Sequence, residues 1–324
     1  MTAVAAPIDR APGAWARALP LIAVAALIIL VMFWRDAAQI FGIWWNISTY
    51  NHCLLLVPIL GWLVMQRKDE LAELTPAAWW PGLMWSALAA LFWLIGQALD
   101  INFARHLALV MMLQGAVVAL TGPMVARGLA FPLFFSFFLV PFGDELIYPL
   151  QIVTARMSMA MLGWSGIPAH IAGLDIATPA GLFHVAEACS GVKFLIAMLA
   201  LGALVANLCF RSSRRRAAFL AACVIVPIVA NGIRAWGTIT IAHHRGLDFA
   251  AGFDHIFYGW IFFAVVIAVV LAAAWPFFDK NADAPAFEPS YLQRPFLHVA
   301  RPVPMIAALI GLAALPLAIA AILL

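Results

Sequence analysis

Apolar runs close to the roughly 20 residues that a helix needs to cross the hydrocarbon core of a bilayer recur along the whole chain, separated by short polar stretches. Nowhere do they show the short apolar–polar alternation of an outer-membrane strand. The runs at 19–34, 48–66, 81–99, 105–122, 125–143, 192–210, 217–241, 255–277 and 304–324 predict spanning helices. Segment 146–163 departs from this pattern. Pro149, Gln151 and Arg156 interrupt it, so it is expected to lie along the interface or to re-enter the membrane. The fold expected is all-α: a polytopic transmembrane helical bundle of about 8–10 membrane helices.

Composition agrees with the pattern. Hydrophobic residues make up 66% of the 324 positions and charged residues only 10%, and the mean hydropathy is +1.02, far from the soluble globular range. The first apolar run lacks a small-residue cleavage site and is followed by many others, so it reads as a retained span. Net charge is only +3 and the basic residues are spread over loops, which argues against nucleic acid as a partner and leaves the lipid bilayer as the first one.

Those basic residues set the orientation, because short cytoplasmic loops carry the Lys and Arg excess. Arg10 and Arg17 put the N-terminus inside, and Arg67-Lys68 and Arg127 follow at alternate crossings. The strongest mark is Arg211-Ser212-Ser213-Arg214-Arg215-Arg216. With that cluster inside, 192–210 runs inward, 217–241 outward and 255–277 inward again, provided 146–163 does not cross. Asp144, Glu145 and the polar loop 164–190 then lie outside. Three polar residues fall at or near the outer ends of these runs: Cys189, Arg234 and His255.

Each has a plainer reading. A membrane cysteine is usually a small packing residue, and Cys53, Cys209 and Cys223 are read so. Cys189 differs in lying between Glu187 and the Ser190-Gly191 pair at a predicted helix N-terminus, where the helix dipole favours a thiolate, with Lys193 one turn on. An arginine within a span is costly unless paired or hydrated, so Arg234 is either half of an ion pair with Glu187 or Asp254 or a functional group. Gly232 and Gly237 beside it leave room for a neighbouring helix or a substrate chain. His255 opens a span beside Asp254 with Gly259 one turn on; His184, His243 and His244 compete with it, as do the more distant His52, His106 and His170.

The segments Glu187-Ala188-Cys189-Ser190-Gly191, Asn231-Gly232-Ile233-Arg234 and Asp254-His255 followed by Gly259-Trp260, in that order on successive spans, resemble the exosortase/archaeosortase family of polytopic membrane cysteine transpeptidases. Asn51-His52 ahead of Pro58-Ile59 joins the likeness. The resemblance implies a bacterial inner-membrane enzyme with its site facing the periplasm. Its partners would be secreted proteins ending in a sorting signal: a short Pro-Glu-Pro motif, a hydrophobic helix and a basic tail. Cleavage near the motif would pass the new C-terminus, through a thioester, to an unidentified surface acceptor. The family's triad maps onto Cys189, Arg234 and His255, with Glu187, Ser190, Gly191, Lys193, Asn231 and Asp254 as supporting or substrate-binding residues. An acidic motif residue needs a cation, for which Lys193, Arg245 and Arg105 are candidates. No metal or organic cofactor is required.

Under this reading 1–278 is the catalytic domain, 279–303 a Pro-rich cytoplasmic linker and 304–324 an additional terminal helix. Some exosortases carry a periplasmic domain at this end, so both a shortened relative and a truncated chain are compatible with the sequence. The alternative from another class is a transporter or channel with functional charges near the outer face, although no internal repeat is visible. A metalloprotease built on His243, His244, His255 and Asp254 lacks any His-Glu-x-x-His spacing.

Overall fold

A bilayer offers no water to the backbone, so an apolar chain satisfies its own N–H and C=O groups by winding into helices. The computed structural model describes residues 13–246, 255–280, 287–292 and 299–323. In chain order these form α1 (Ala14–Met32), α2 (Trp34–Asn46), α3 (Cys53–Met65), α4 (Lys68–Ala72), α5 (Leu83–Ala98), α6 (Asn102–Gly128), α7 (Ala130–Phe135) and α8 (Ile147–Trp164). Three strands follow, β1 (His170–Ala172), β2 (Asp175–Thr178) and β3 (Gly181–His184), and then α9 (Val192–Cys209), α10 (Ser213–Arg245), α11 (His255–Ala274), α12 (Pro289–Leu292) and α13 (Pro302–Leu323).

Among the described residues, seven helices are long and apolar enough to cross a membrane: Ala14–Met32, Trp80–Ala98, Asn102–Gly128, Val192–Cys209, Ser213–Arg245, Gly259–Phe277 and Pro302–Leu323. Ala130–Leu139 and Asp144–Trp164 supply an eighth if they are counted as one interrupted crossing, and α3 is a shorter apolar helix. The protein is a polytopic helical membrane protein. Large apolar side chains such as Leu27, Val31, Met84, Trp260, Val265 and Val269 are exposed on its surface, as a lipid-facing surface requires.

Three local features differ from the sequence pattern. First, α6 continues to Gly128, past a kink at Gly122 (φ 82°, ψ 177°) before Pro123, and so takes up the start of the run expected at 125–143. Proline has no N–H to give the helix, and glycine alone adopts such a φ without strain. Second, α2 was not legible as a span. It is only 13 residues long and carries Arg35, Asp36 and Gln39, of which Asp36 is buried, accepting from Trp93 Nε1 at 2.9 Å and lying 3.5 Å from Arg105 Nε. Third, the polar loop 164–190 contains a short antiparallel sheet of order β1-β2-β3, in which Ile171 pairs with Ile176 and Ile176 with Phe183.

The chain divides into two compact units. One comprises Met1–Pro141 with Asp283–Leu324, the other Phe142–Ala282. In the first, α1, α5, α6 and α13 bury Ile29, Phe33, Trp93, Met112, Met305 and Leu309 together, so the last helix is part of that core. In the second, α10 is central. Phe219, Cys223 and Ala230 pack with Phe194 and Met198 of α9 and Phe263 and Val266 of α11, whereas Ile239 packs with Ala155 and Leu162 of α8 and with Ile176 and Val185 of the sheet region.

A buried amide between the cysteine loop and a buried arginine

The second unit holds Cys189, Arg234 and the start of α11, all arranged around α10. The loop from the sheet to α9 is fixed at both ends by amide side chains. Gln151 Nε2 donates to Val185 O at 2.7 Å, and Asn231 Nδ2 donates to Cys189 O at 2.7 Å. Between these anchors the chain turns tightly, Cys189 N–H donating to Ala186 O and Ser190 N–H to Glu187 O. Cys189 is half-buried, in contact with the core of α8 and the sheet, and forms no disulfide. Glu187 is exposed. Ser190 is buried and its Oγ accepts Val192 N–H at 3.3 Å, while Gly191 O accepts the N–H groups of Phe194 and Leu195. Ser190 N–H is thus engaged by Glu187 within the turn.

Gly191 is glycine for two physical reasons. Its φ is +82°, and a Cβ there would stand 2.8 Å from Asn231 Cγ. Gly191→Ala is therefore expected to displace Asn231 and to lower stability by roughly 1–3 kcal/mol, measurable as a fall in the thermal midpoint of the purified protein. A midpoint equal to that of wild type would show that the turn tolerates a side chain.

Asn231 joins three elements. Besides Cys189 O it donates to Thr154 Oγ1 on α8 at 2.9 Å, and its Oδ1 accepts from Arg234 Nη2 at 3.2 Å. Only 2% of Asn231 and 7% of Arg234 are exposed, so both polar heads sit where an unsatisfied group would be costly. The Arg234 guanidinium lies over the Phe194 ring, 5.5 Å from its centroid, and Phe194 stacks on Phe263 at 4.4 Å. Lys193 shares this aromatic patch, 5.3 Å from Phe194 and 5.5 Å from Trp260. On α11, a Cβ at Gly259 would lie 3.1 Å from Arg234 Nη1, so this glycine admits the guanidinium. His255 opens α11 four residues before Gly259. Its side chain and Asp254 lie outside the described residues.

The competing residues have other partners. His184 Nδ1 is 2.7 Å from Asp175 Oδ1 on the exposed sheet, and His243 and His244 meet edge-on at 5.1 Å in the last turn of α10. In the first unit, Arg105 faces Asp36 and Gln97, and His52 Nδ1 lies 3.0 Å from Thr49 O. Asn51 Nδ2 donates to Trp44 O. Cys53 and Cys223 are buried.

Thr154 and Gln151 escaped the sequence reading. Gln151, Thr154 and Ser158 are spaced by three and four residues, which places them on one face of α8, and all three are buried. The stripe was visible in the sequence. Gln151 interrupts an apolar run in the sequence, and a polar stripe on an apolar helix equally marks a face turned toward polar partners in the protein interior.

Residues 44–272, which include the whole cysteine loop, the Asn231–Arg234 segment and most of α11, match the transmembrane exosortase family (Exosortase_EpsH). No curated protein and no solved structure matches the chain. With more than two thirds of its length aligned to that one family, this multi-pass membrane protein belongs to the transmembrane exosortases.

Proposed function

We propose that the chain is a cysteine peptidase/transpeptidase of the bacterial inner membrane, with its site facing the periplasm, that cleaves C-terminal sorting signals of the Pro-Glu-Pro type. One observation carries the reading: the Asn231 amide bonds both the carbonyl of Cys189 and the guanidinium of Arg234, linking a half-buried thiol residue to a buried cation. Membership of the exosortase family supports the reaction class.

The Cys189 thiolate attacks the scissile carbonyl, and the oxyanion that forms is stabilised by Arg234 and Gly191 N–H. Collapse breaks the C–N bond, leaves a thioester on Cys189 and expels an amine that takes its proton from His255. The acceptor then yields a proton to His255 and attacks the thioester, and the thiolate is released. A preformed cation suits this chemistry because it needs no reorganisation as charge develops. The substrate's hydrophobic tail helix lies in the bilayer with its basic end inside, as positive-inside topology requires, so the scissile bond meets the enzyme at the outer interface.

A protein whose other cysteines are replaced, Cys53→Ala, Cys209→Ala and Cys223→Ala, tests the assignment. It is expected to process a co-expressed reporter bearing such a tail and to lose that activity to a thiol alkylator but not to a chelator. Alkylation at Cys189 that leaves processing intact would refute the mechanism.

A further inference from the structure

At the opposite end of the α9–α11 bundle from Cys189, an apolar groove of about 410 Å³ runs between the beginning of α10 and the end of α11. Phe219 and Val226 line one wall, Val269, Val270 and Phe277 the other, and the charged residue in its lining is Arg215. The rim is open: Val269 and Phe277 are more than half exposed. Arg215 is held at the mouth by the segment that follows α11, its Nη1 donating to Phe277 O at 3.1 Å and lying 3.4 Å from Asp279 Oδ2. The other Asp279 oxygen accepts Arg211 N–H at 2.6 Å. These bonds occupy one nitrogen of a guanidinium that carries five donors, so its remaining edge is available to a ligand at the mouth.

Charge selects the ligand. Arg211, Arg214, Arg215, Arg216 and Lys280 surround this end, against the carboxylate of Asp279 as the one acidic side chain among the described residues there. Lys280 is tied in by its Nζ, which donates to Asn207 O at 3.1 Å, and Arg216 by Nε to Phe210 O at 2.8 Å. An apolar slot of this size under a cluster of cations fits a molecule with a hydrocarbon tail and an anionic head. The basic tail of a sorting signal does not fit, because its charge has the same sign as the cluster.

We infer that this groove is a binding site for an anionic glycerophospholipid, with one acyl chain between α10 and α11 and the phosphate on Arg215. The site is independent of the proposed peptidase reaction. It fixes the depth of α10, the helix that carries Asn231 and Arg234, at its far end.

Native mass spectrometry of the full-length protein, released from detergent and titrated with phosphatidylglycerol, phosphatidylcholine or inorganic phosphate, tests the inference. Phosphatidylglycerol is expected to be retained and to raise the thermal midpoint, with the other two giving neither effect. Arg215→Gln is expected to weaken phosphatidylglycerol binding about fivefold, the effect of one cation at a membrane surface. Ala273→Phe, at an exposed position in the groove lining, is expected to weaken it through steric filling, and Arg35→Gln on α2 to leave it unchanged. Equal retention of phosphatidylcholine, a matching effect of phosphate alone, or wild-type binding by both groove variants would overturn the assignment.

Discussion

Cys189→Ala is expected to abolish processing of a sorting-signal reporter, with a fall of roughly 10⁴-fold or more in turnover, the scale seen when a covalent nucleophile is removed. The bonds that anchor this turn survive the substitution. Asn231 is bonded to the backbone carbonyl of Cys189, and the turn is closed by Cys189 N–H to Ala186 O, so neither contact involves the sulfur. Removing the thiol therefore leaves the loop anchored, and loss of activity at wild-type membrane levels and an unchanged thermal midpoint reports on chemistry. The conservative variant sharpens the test. Cys189→Ser keeps size and polarity but replaces the thiol by a hydroxyl, which is far harder to ionise, so it too is expected to accumulate precursor. Normal processing by Cys189→Ala would end the cysteine mechanism, and solute flux in reconstituted vesicles would then become the measurement to make.

The helical fold was legible because hydrocarbon thickness sets helix length, and a run of apolar residues reports it with few competing interpretations. The alternation of Arg67-Lys68, Arg127 and Arg211–Arg216 placed the ends carrying 189, 234 and 255 on one side, and in the structure Asn231 bonds Cys189 while Gly259 abuts Arg234. Shorter elements were less legible for a physical reason. The strands at 170–184 are three or four residues long, too brief for an alternating pattern to stand out from a polar loop. The amphipathic helix α2 buries Asp36 against Trp93 and Arg105, partners 57 and 69 residues away along the chain, and no local pattern carries such pairings. The α8 contribution had the same origin. Thr154 and Asn231 are 77 positions apart, so each was visible as a polar residue in an apolar run, but their hydrogen bond belongs to the tertiary structure.

Arg234→Lys is expected to reduce turnover by about 10² to 10³-fold, the range for loss of one oxyanion donor, although the positive charge is kept. The reason lies in shape. The guanidinium reaches Asn231 Oδ1 with one nitrogen, approaches Gly259 with another and stacks over Phe194, three directions that a single ammonium cannot serve together. If only charge mattered, Lys would restore what Gln loses, and near-equal activity of Arg234→Lys and wild type would show that the shape of the guanidinium is not required. Asn231 separates positioning from chemistry. Asn231→Asp still accepts from Arg234 but can no longer donate to Cys189 O or Thr154 Oγ1, whereas Asn231→Ala deprives all three partners at once and is expected to destabilise by about 1–3 kcal/mol for each buried group left unsatisfied. Because Asn231 acts by holding the loop, Asn231→Asp is expected to speed alkylation of Cys189 as the loop loosens while slowing processing. Arg234→Lys is expected to slow processing without exposing the thiol. Two variants that changed alkylation and processing in parallel would mean that Arg234, like Asn231, serves only to hold the loop in place.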